Sequence, residues 1–386
     1  MSGKRLVIHS KSHPVAEGPE RALLIAVAKK GALQRQAARQ SLEELGQLAA
    51  AAGAKVVGST LQELSAPSRV YYVGKGKLEE IRELALSLNP DILVFDDELT
   101  PGQQRNLEDA FRIRIVDRVA LILDIFARRA RTREGRLQVE LAQYQYLLPR
   151  LAGQWQHLER MEGGIGTRGP GETQLETDRR LIRLKIKRLR SQTEAVRQQR
   201  GLHRRSRQKS GLPLVSLIGY TSAGKSTLLN ALCGTDVRTD GALFSTLDPT
   251  TRRLRLPGGN TVLLSDTVGF IRKLPTLLVD AFRATLEELA DADLLLHVVN
   301  LAAADATEQY LAVQKILEEL SLQDIPRITV FNKADVVLKD ETDKDEAVKT
   351  FASEFPGEED FIVISATRKW GLPELLAKIQ ALPGGK

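Results

Sequence analysis

The eight residues Gly219-Tyr220-Thr221-Ser222-Ala223-Gly224-Lys225-Ser226 fit G-x-x-x-x-G-K-[ST], follow the strand-like run Leu214-Val215-Ser216-Leu217-Ile218 and open a helical stretch. Strand, glycine-bearing turn and helix in that order start a βαβ unit, whose next strand must run parallel to the first. The chain beyond agrees. Thr261 to Ser265, Leu294 to Val299, Arg327 to Phe331 and Phe361 to Ile364 read as further strands separated by helical patterns. The expectation for residues 212–386 is an α/β domain with a mostly parallel sheet, helices on both faces and ligands at the carboxyl ends of the strands. In such a loop the backbone N–H groups meet phosphate oxygens and the helix N-terminus adds positive charge. Lys225 reaches the β- and γ-phosphates, and Ser226 offers its hydroxyl to Mg²⁺.

Three more phrases fall just after predicted strands. In Asp266-Thr267-Val268-Gly269 an Asp can hold Mg²⁺ through a water while the glycine N–H meets the γ-phosphate. In Asn332-Lys333-Ala334-Asp335 the last carboxylate can accept from guanine's ring N–H and exocyclic amine, two donors that adenine does not offer on that edge. In Ser365-Ala366-Thr367 backbone N–H groups can meet the guanine carbonyl. The combination implies GTP or GDP as ligand, with Lys225 and Gly269 at the reacting end.

The N-terminal half reads differently. Up to about residue 120, Ala22 to Ala28, Lys55 to Gly58, Arg69 to Val73, Asp91 to Phe95 and Arg112 to Val116 read as strands. Ser41 to Ala52, Lys77 to Leu88 and Thr100 to Ala110 read as helices, with Ser41 and Thr100 as N-caps. This is a small α/β domain. Residues 121–211 carry helical stripes: Leu137, Leu141, Tyr144, Leu148 and Leu151, then Leu175, Ile182, Leu189 and Val196, with Ile186 between. Gly163 to Gly171 lie between the stripes, which predicts a long antiparallel helical hairpin with a glycine-rich tip. Arg179 to Lys209 hold thirteen Lys or Arg against one acid, Glu194, and residues 1–211 carry a net +14 against −7 for 212–386. Such a basic half favours a polyanionic partner, with nucleic acid foremost.

No apolar run approaches the roughly 18 to 20 residues needed to span a bilayer, so no membrane insertion is expected. One cysteine, Cys233, and no signal-like N-terminus suit the cytoplasm. Gly74-Lys75-Gly76-Lys77 lacks phosphate-loop spacing, and a tight turn before a helix accounts for it. His157 and His297 have no metal-ligand companions and read as structural.

Taken together, these residues resemble the translation-factor-related GTPases and, within them, the HflX family of ribosome-associated GTPases. Besides the phosphate loop, the resemblance rests on Phe244-Ser245-Thr246-Leu247-Asp248-Pro249-Thr250-Thr251-Arg252, Asp266 to Arg272, Tyr72 to Lys77 and Gly163 to Arg180, within which Gly169-Pro170-Gly171-Glu172-Thr173-Gln174-Leu175-Glu176 is most distinctive. It covers nearly the whole chain. The resemblance implies a P-loop GTPase domain behind a family-specific N-terminal region, and a stress-related role as a monomer that binds the large ribosomal subunit, its RNA and proteins, and separates ribosomes. It also assigns Thr246 to Mg²⁺ and the γ-phosphate, with Thr250 as the other candidate, and places Phe244 to Asp248 along the nucleotide.

Two departures bear on activity. Phe270 stands where Ras-like proteins carry the Gln that orients the attacking water, and a phenyl ring can neither donate nor accept for that task, so turnover should be slow until a partner completes the site. Ser222 replaces an Asn that helps potassium-activated relatives hold the cation, which puts a potassium requirement in doubt. Two other readings stand beside this one: an ATP-driven RNA remodelling enzyme acting through the N-terminal domain, and a non-catalytic scaffold that senses guanine nucleotide.

Overall fold

The computed structural model describes residues 18–151, 170–209, 211–234, 244, 250–273, 277, 289–343, 355 and 361–381. The chain divides into two compact units, Met1–Ile125 with Gln143–Arg188, and Phe126–Ala142 with Leu189–Lys386.

In the first unit, β1 (Arg21–Lys29), β2 (Lys55–Leu64), β3 (Ile92–Phe95) and β4 (Arg114–Asp117) form a parallel sheet in the order β2-β1-β3-β4. Strands covered on both faces are apolar throughout rather than alternating, and Ile92 to Phe95 are all buried accordingly. Leu23, Ile25, Leu93 and Phe95 pack with Tyr72, Leu78, Ile81, Leu107 and Ile115. Among the helices, α2 (Lys75–Leu88) and α3 (Pro101–Phe111) match the expected segments. Thr100 caps α3 as expected: its hydroxyl accepts from the Gln103 N–H at 3.2 Å, and the Gln103 side chain accepts from the Thr100 N–H at 2.9 Å. Gly74 precedes α2 and its N–H donates to the Gln62 side chain at 2.8 Å, which makes it part of a turn.

Two local expectations fail. Helix α1 spans Ala32–Ala51, so Ser41 is no cap; it lies mid-helix, and its buried hydroxyl donates to Asp96 at 2.7 Å. Residues 69–73 form a turn closed by the Ser68–Tyr72 bridge instead of a strand, and they add to neither edge of the sheet.

The helical region comprises α4 (Arg118–Arg129), α5 (Arg133–Leu147) and α6 (Pro170–Lys209). Pro170 opens α6, where its missing N–H costs nothing, and Gly171 falls inside the first turn; Gly163 to Gly169 lie outside the described residues. Ile186 and Leu189 of α6 are buried while Arg180, Arg183, Lys187, Arg188 and Arg190 are exposed, so a stripe packs and the exposed surface beside it carries these cations along with Leu181 and Leu184. Lys185 of α6 lies over the ring of Tyr144 of α5 at 5.9 Å, joining the two arms of the expected hairpin. Among the described residues no helix is long and apolar enough to cross a membrane.

The second unit holds β5 (Leu214–Gly219), β6 (Thr250–Arg255), β7 (Thr261–Asp266), β8 (Leu294–Asn300), β9 (Arg327–Asn332) and β10 (Phe361–Val363) in the order β10-β9-β8-β5-β7-β6. All pairs are parallel except β6 with β7, an antiparallel edge strand that the apolar pattern did not reveal because only Leu254 of its six residues is buried. On one face Leu217, Leu264, Leu296 and Val298 meet Leu228 and Leu229 of α7 (Lys225–Cys233) and Leu375 and Ile379 of α9 (Leu372–Gln380). On the other, Ile218 and Leu295 meet Val313 and Leu317 of α8 (Ala306–Glu319).

Candidate functional site

The four phrases singled out in the sequence converge at the carboxyl ends of β5, β7, β9 and β10. The phosphate loop leaves β5 at Gly219, whose φ is +146° and whose missing Cβ would lie 2.2 Å from the Val298 carbonyl oxygen. Gly224 closes the loop with φ +95°, and a Cβ there would lie 2.2 Å from the Asn332 amide nitrogen. Only glycine fits both places. Tyr220, Thr221 and Ala223 are buried, and Ser222 takes a left-handed φ of +61°.

Lys225 begins α7 and is buried. Its ammonium donates to the carbonyls of Gly219 at 3.0 Å and Tyr220 at 2.9 Å. Burial lowers its pKa to about 8, with the nearby Asp266 carboxylate opposing the shift. The next hydroxyl, Ser226, donates to Asp266 at the end of β7 across 2.6 Å. Thr267 turns its hydroxyl to the Leu217 carbonyl at 2.7 Å, and Val268 is buried. Gly269 lies against the lysine: a Cβ on it would stand 2.9 Å from the Lys225 ammonium. Two hard oxygen donors, Ser226 and Asp266, thus meet beside the cationic end of the loop, a set suited to hard divalent cations such as Mg²⁺. Among the described residues no group of three His, Cys, Asp or Glu side chains could hold a metal by itself.

At the other end, Asn332 staples two loops together. Its amide donates to the Ala223 carbonyl at 2.9 Å and accepts from the Ala366 N–H at 3.0 Å. Lys333 adopts φ +67°, and burial lowers its pKa against the pull of Asp335. Ala334 is fully buried, and its N–H donates to the Ile364 carbonyl at 3.1 Å. Asp335 accepts from the buried Ser365 hydroxyl at 2.6 Å, and that hydroxyl accepts in turn from the Arg368 N–H at 3.0 Å. Thr367 is exposed at the same rim.

The Phe244 ring is buried and meets Phe126 edge-on at 4.6 Å between centroids, with the backbone at φ +58°. Ser245, Thr246, Leu247 and Asp248 lie outside the described residues. Thr250, the other candidate for the switch threonine, heads β6 directly opposite Asp266. Phe270 is buried among Ile218, Tyr220, Leu289 and Leu295, turned into the core. His297 is structural as expected: buried in β8, it stacks on Tyr310 at 5.0 Å, and burial lowers its pKa to about 3. Two features had no local signal: the Asn332 staple, and the contact of the Tyr220 hydroxyl with the Arg272 N–H at 2.5 Å.

Three family models match in succession between residues 39 and 333: "GTP-binding GTPase N-terminal" over residues 39–127, "GTP-binding GTPase Middle Region" over 129–207 and "50S ribosome-binding GTPase" over 214–333. GTPase HflX of Caldanaerobacter subterraneus is 48% identical over 366 residues, 95% of this chain and 81% of that protein. GTPase HflX of Escherichia coli K12 is 48% identical over 312 residues, 80% of this chain and 73% of that one. A GDP complex of a GTP-binding protein from Sulfolobus solfataricus aligns with a TM-score of 0.48 at 24% identity, covering 94% of this chain and 98% of that one.

Proposed function

Since the chain belongs to the HflX family of GTPases, we propose that this GTP hydrolase docks on the large ribosomal subunit in its GTP-bound form, splits or rescues ribosomes, and leaves after hydrolysis. The observation that carries the docking step is the basic face of α6, where Arg183, Lys187, Arg188 and Arg190 are exposed and take part in none of the described ion pairs. Like charges on adjacent turns repel, and ribosomal RNA phosphates relieve that repulsion. The same reading makes the protein a cytoplasmic monomer that acts under stress.

In this reading Asp335 selects guanine. Its carboxylate accepts from the ring N–H and the exocyclic amine, and the Ser365 hydroxyl holds it in place. The loop N–H groups and Lys225 take the phosphates, with the ammonium exchanging carbonyl oxygens for phosphate oxygens. Ser226 and, through water, Asp266 would hold Mg²⁺, with Thr246 as the further expected ligand; the ion would neutralise phosphate charge. Gly269 offers its N–H at the γ-phosphate end because no side chain separates its backbone from Lys225. Phe270, packed into the core, positions no water. Completion of the site therefore falls to the ribosome, and its large subunit should accelerate turnover. Ser222 has a shorter reach than the Asn of potassium-activated relatives, so no potassium dependence is proposed.

Sedimentation with large subunits and a non-hydrolysable GTP analogue tests the docking. Wild-type protein should co-migrate, and neutralising Arg183, Lys185, Lys187 and Arg188 together should release it. Co-migration that survives the substitutions removes α6 from the contact.

A further inference from the structure

The residues after Gly269 are tied to the phosphate loop rather than lying loosely beside it. The Phe270 N–H donates to the Gly219 carbonyl at 3.1 Å, and the Thr221 N–H donates to the Phe270 carbonyl at 2.7 Å. These two bonds extend the loop like a short parallel strand pair. They reach only as far as residue 270. Three positions on, the chain turns at Lys273, with φ +51°, and a tie just before it is made by a side chain: the Tyr220 hydroxyl accepts the Arg272 N–H at 2.5 Å. The Arg272 guanidinium is held from the far side by Asp305, at the start of α8, also at 2.5 Å. Meanwhile the Tyr220 ring is packed with Ile218, Phe270, Leu289 and Ala292, so the hydroxyl has a fixed origin.

We propose that Tyr220 is a positioning residue for GTP hydrolysis, its hydroxyl locking the segment after Gly269 in the register that sets the Gly269 N–H beside Lys225. A peptide N–H stabilises charge on a transferring phosphoryl group only when it is already aimed there, because any reorientation is paid during the reaction. Both ties follow Gly269 in the chain: the backbone bonds hold Phe270, and the tyrosine hydroxyl holds Arg272 two residues further, so the turn at Lys273 cannot work the Phe270 bonds loose. GDP has no γ-phosphate and makes no use of this alignment, which separates a positioning role from a general one in loop stability. The inference rests on hydrolysis at this site and is independent of the ribosomal partner.

Tyr220→Phe keeps the ring and both backbone bonds and deletes one acceptor. Single-turnover hydrolysis should slow by about 3- to 10-fold, the scale of one hydrogen bond. GDP affinity should stay within about twofold of wild type, and the preference for a non-hydrolysable GTP analogue over GDP should shrink. Asp305→Asn, which loosens Arg272 without touching the loop, should likewise slow hydrolysis and shrink the preference for the GTP analogue while leaving GDP affinity within about twofold, and carries the test if Tyr220→Phe does not fold. Unchanged hydrolysis in both variants overturns the inference, as does a loss of GDP binding in proportion to the loss of rate. A wild-type protein that hydrolyses no GTP would instead sink the enzymatic assignment beneath it, which keeps the two failures apart.

Discussion

Asp335 and Ser365 are 30 positions apart in the chain and 2.6 Å apart in space, and the proposed selection of guanine rests on that pair. A carboxylate offers only acceptors to the two guanine donors, whereas an amide turned the same way presents an N–H to one of them. Asp335→Asn should therefore weaken GDP binding by about 100-fold, near 3 kcal/mol, since a buried donor is left unmet, and ADP should compete almost equally. Competition of GDP and ADP against a fluorescent guanine nucleotide measures both; retained purine selectivity would remove Asp335 from the site. Asp335 stood out as a candidate in the sequence because the four-residue phrase and its place after a strand are local facts. The sequence did not show that the neighbouring Asn332 joins Ala223 to Ala366, because a side-chain amide spanning 109 positions leaves no spacing to read.

Among the elements, the junction of β4 and α4 shows how a local reading falls short. Arg118 looks like one more basic residue ahead of a helical run, yet it is 1% exposed, bound to Asp96 at 2.8 Å and Glu44 at 2.5 Å. Ser41, which resembles a helix cap, completes this cluster by donating to Asp96 from the middle of α1. Removing the cation strands two carboxylates in a dry core. Arg118→Met should cost about 3–5 kcal/mol in chemical denaturation, and pairing it with Asp96→Asn and Glu44→Gln should restore much of the loss. A single substitution that costs under about 1 kcal/mol would show that the cluster is solvated. Thr100, by contrast, was legible as a cap, because a capping box is complete within four residues.

For the whole molecule, the division of charge is the property most open to a bulk measurement. The +14 of residues 1–211 and the −7 of residues 212–386 predict that an RNA partner meets the first part and is repelled by the rest. If α6 meets ribosomal RNA phosphates, the logarithm of the binding constant should fall linearly with the logarithm of salt. Neutralising Arg183, Lys187 and Arg188 should reduce that slope by about two to three, nearly one for each lost phosphate contact. An unchanged slope would place the electrostatic contact elsewhere. The amino-acid sequence by itself determined the α/β class, most of the strands, the basic helix and the guanine-nucleotide phrases, because helix period, strand burial and loop chemistry are settled among residues a few positions apart. Tertiary structure alone decided that β6 runs antiparallel at the sheet edge, that Phe270 faces the core, that Asn332 staples two loops and that the Tyr220 hydroxyl meets Arg272. Each of these is a choice of partner between distant segments, made by which surfaces the packed sheet brings within hydrogen-bonding reach, and no local pattern encodes it.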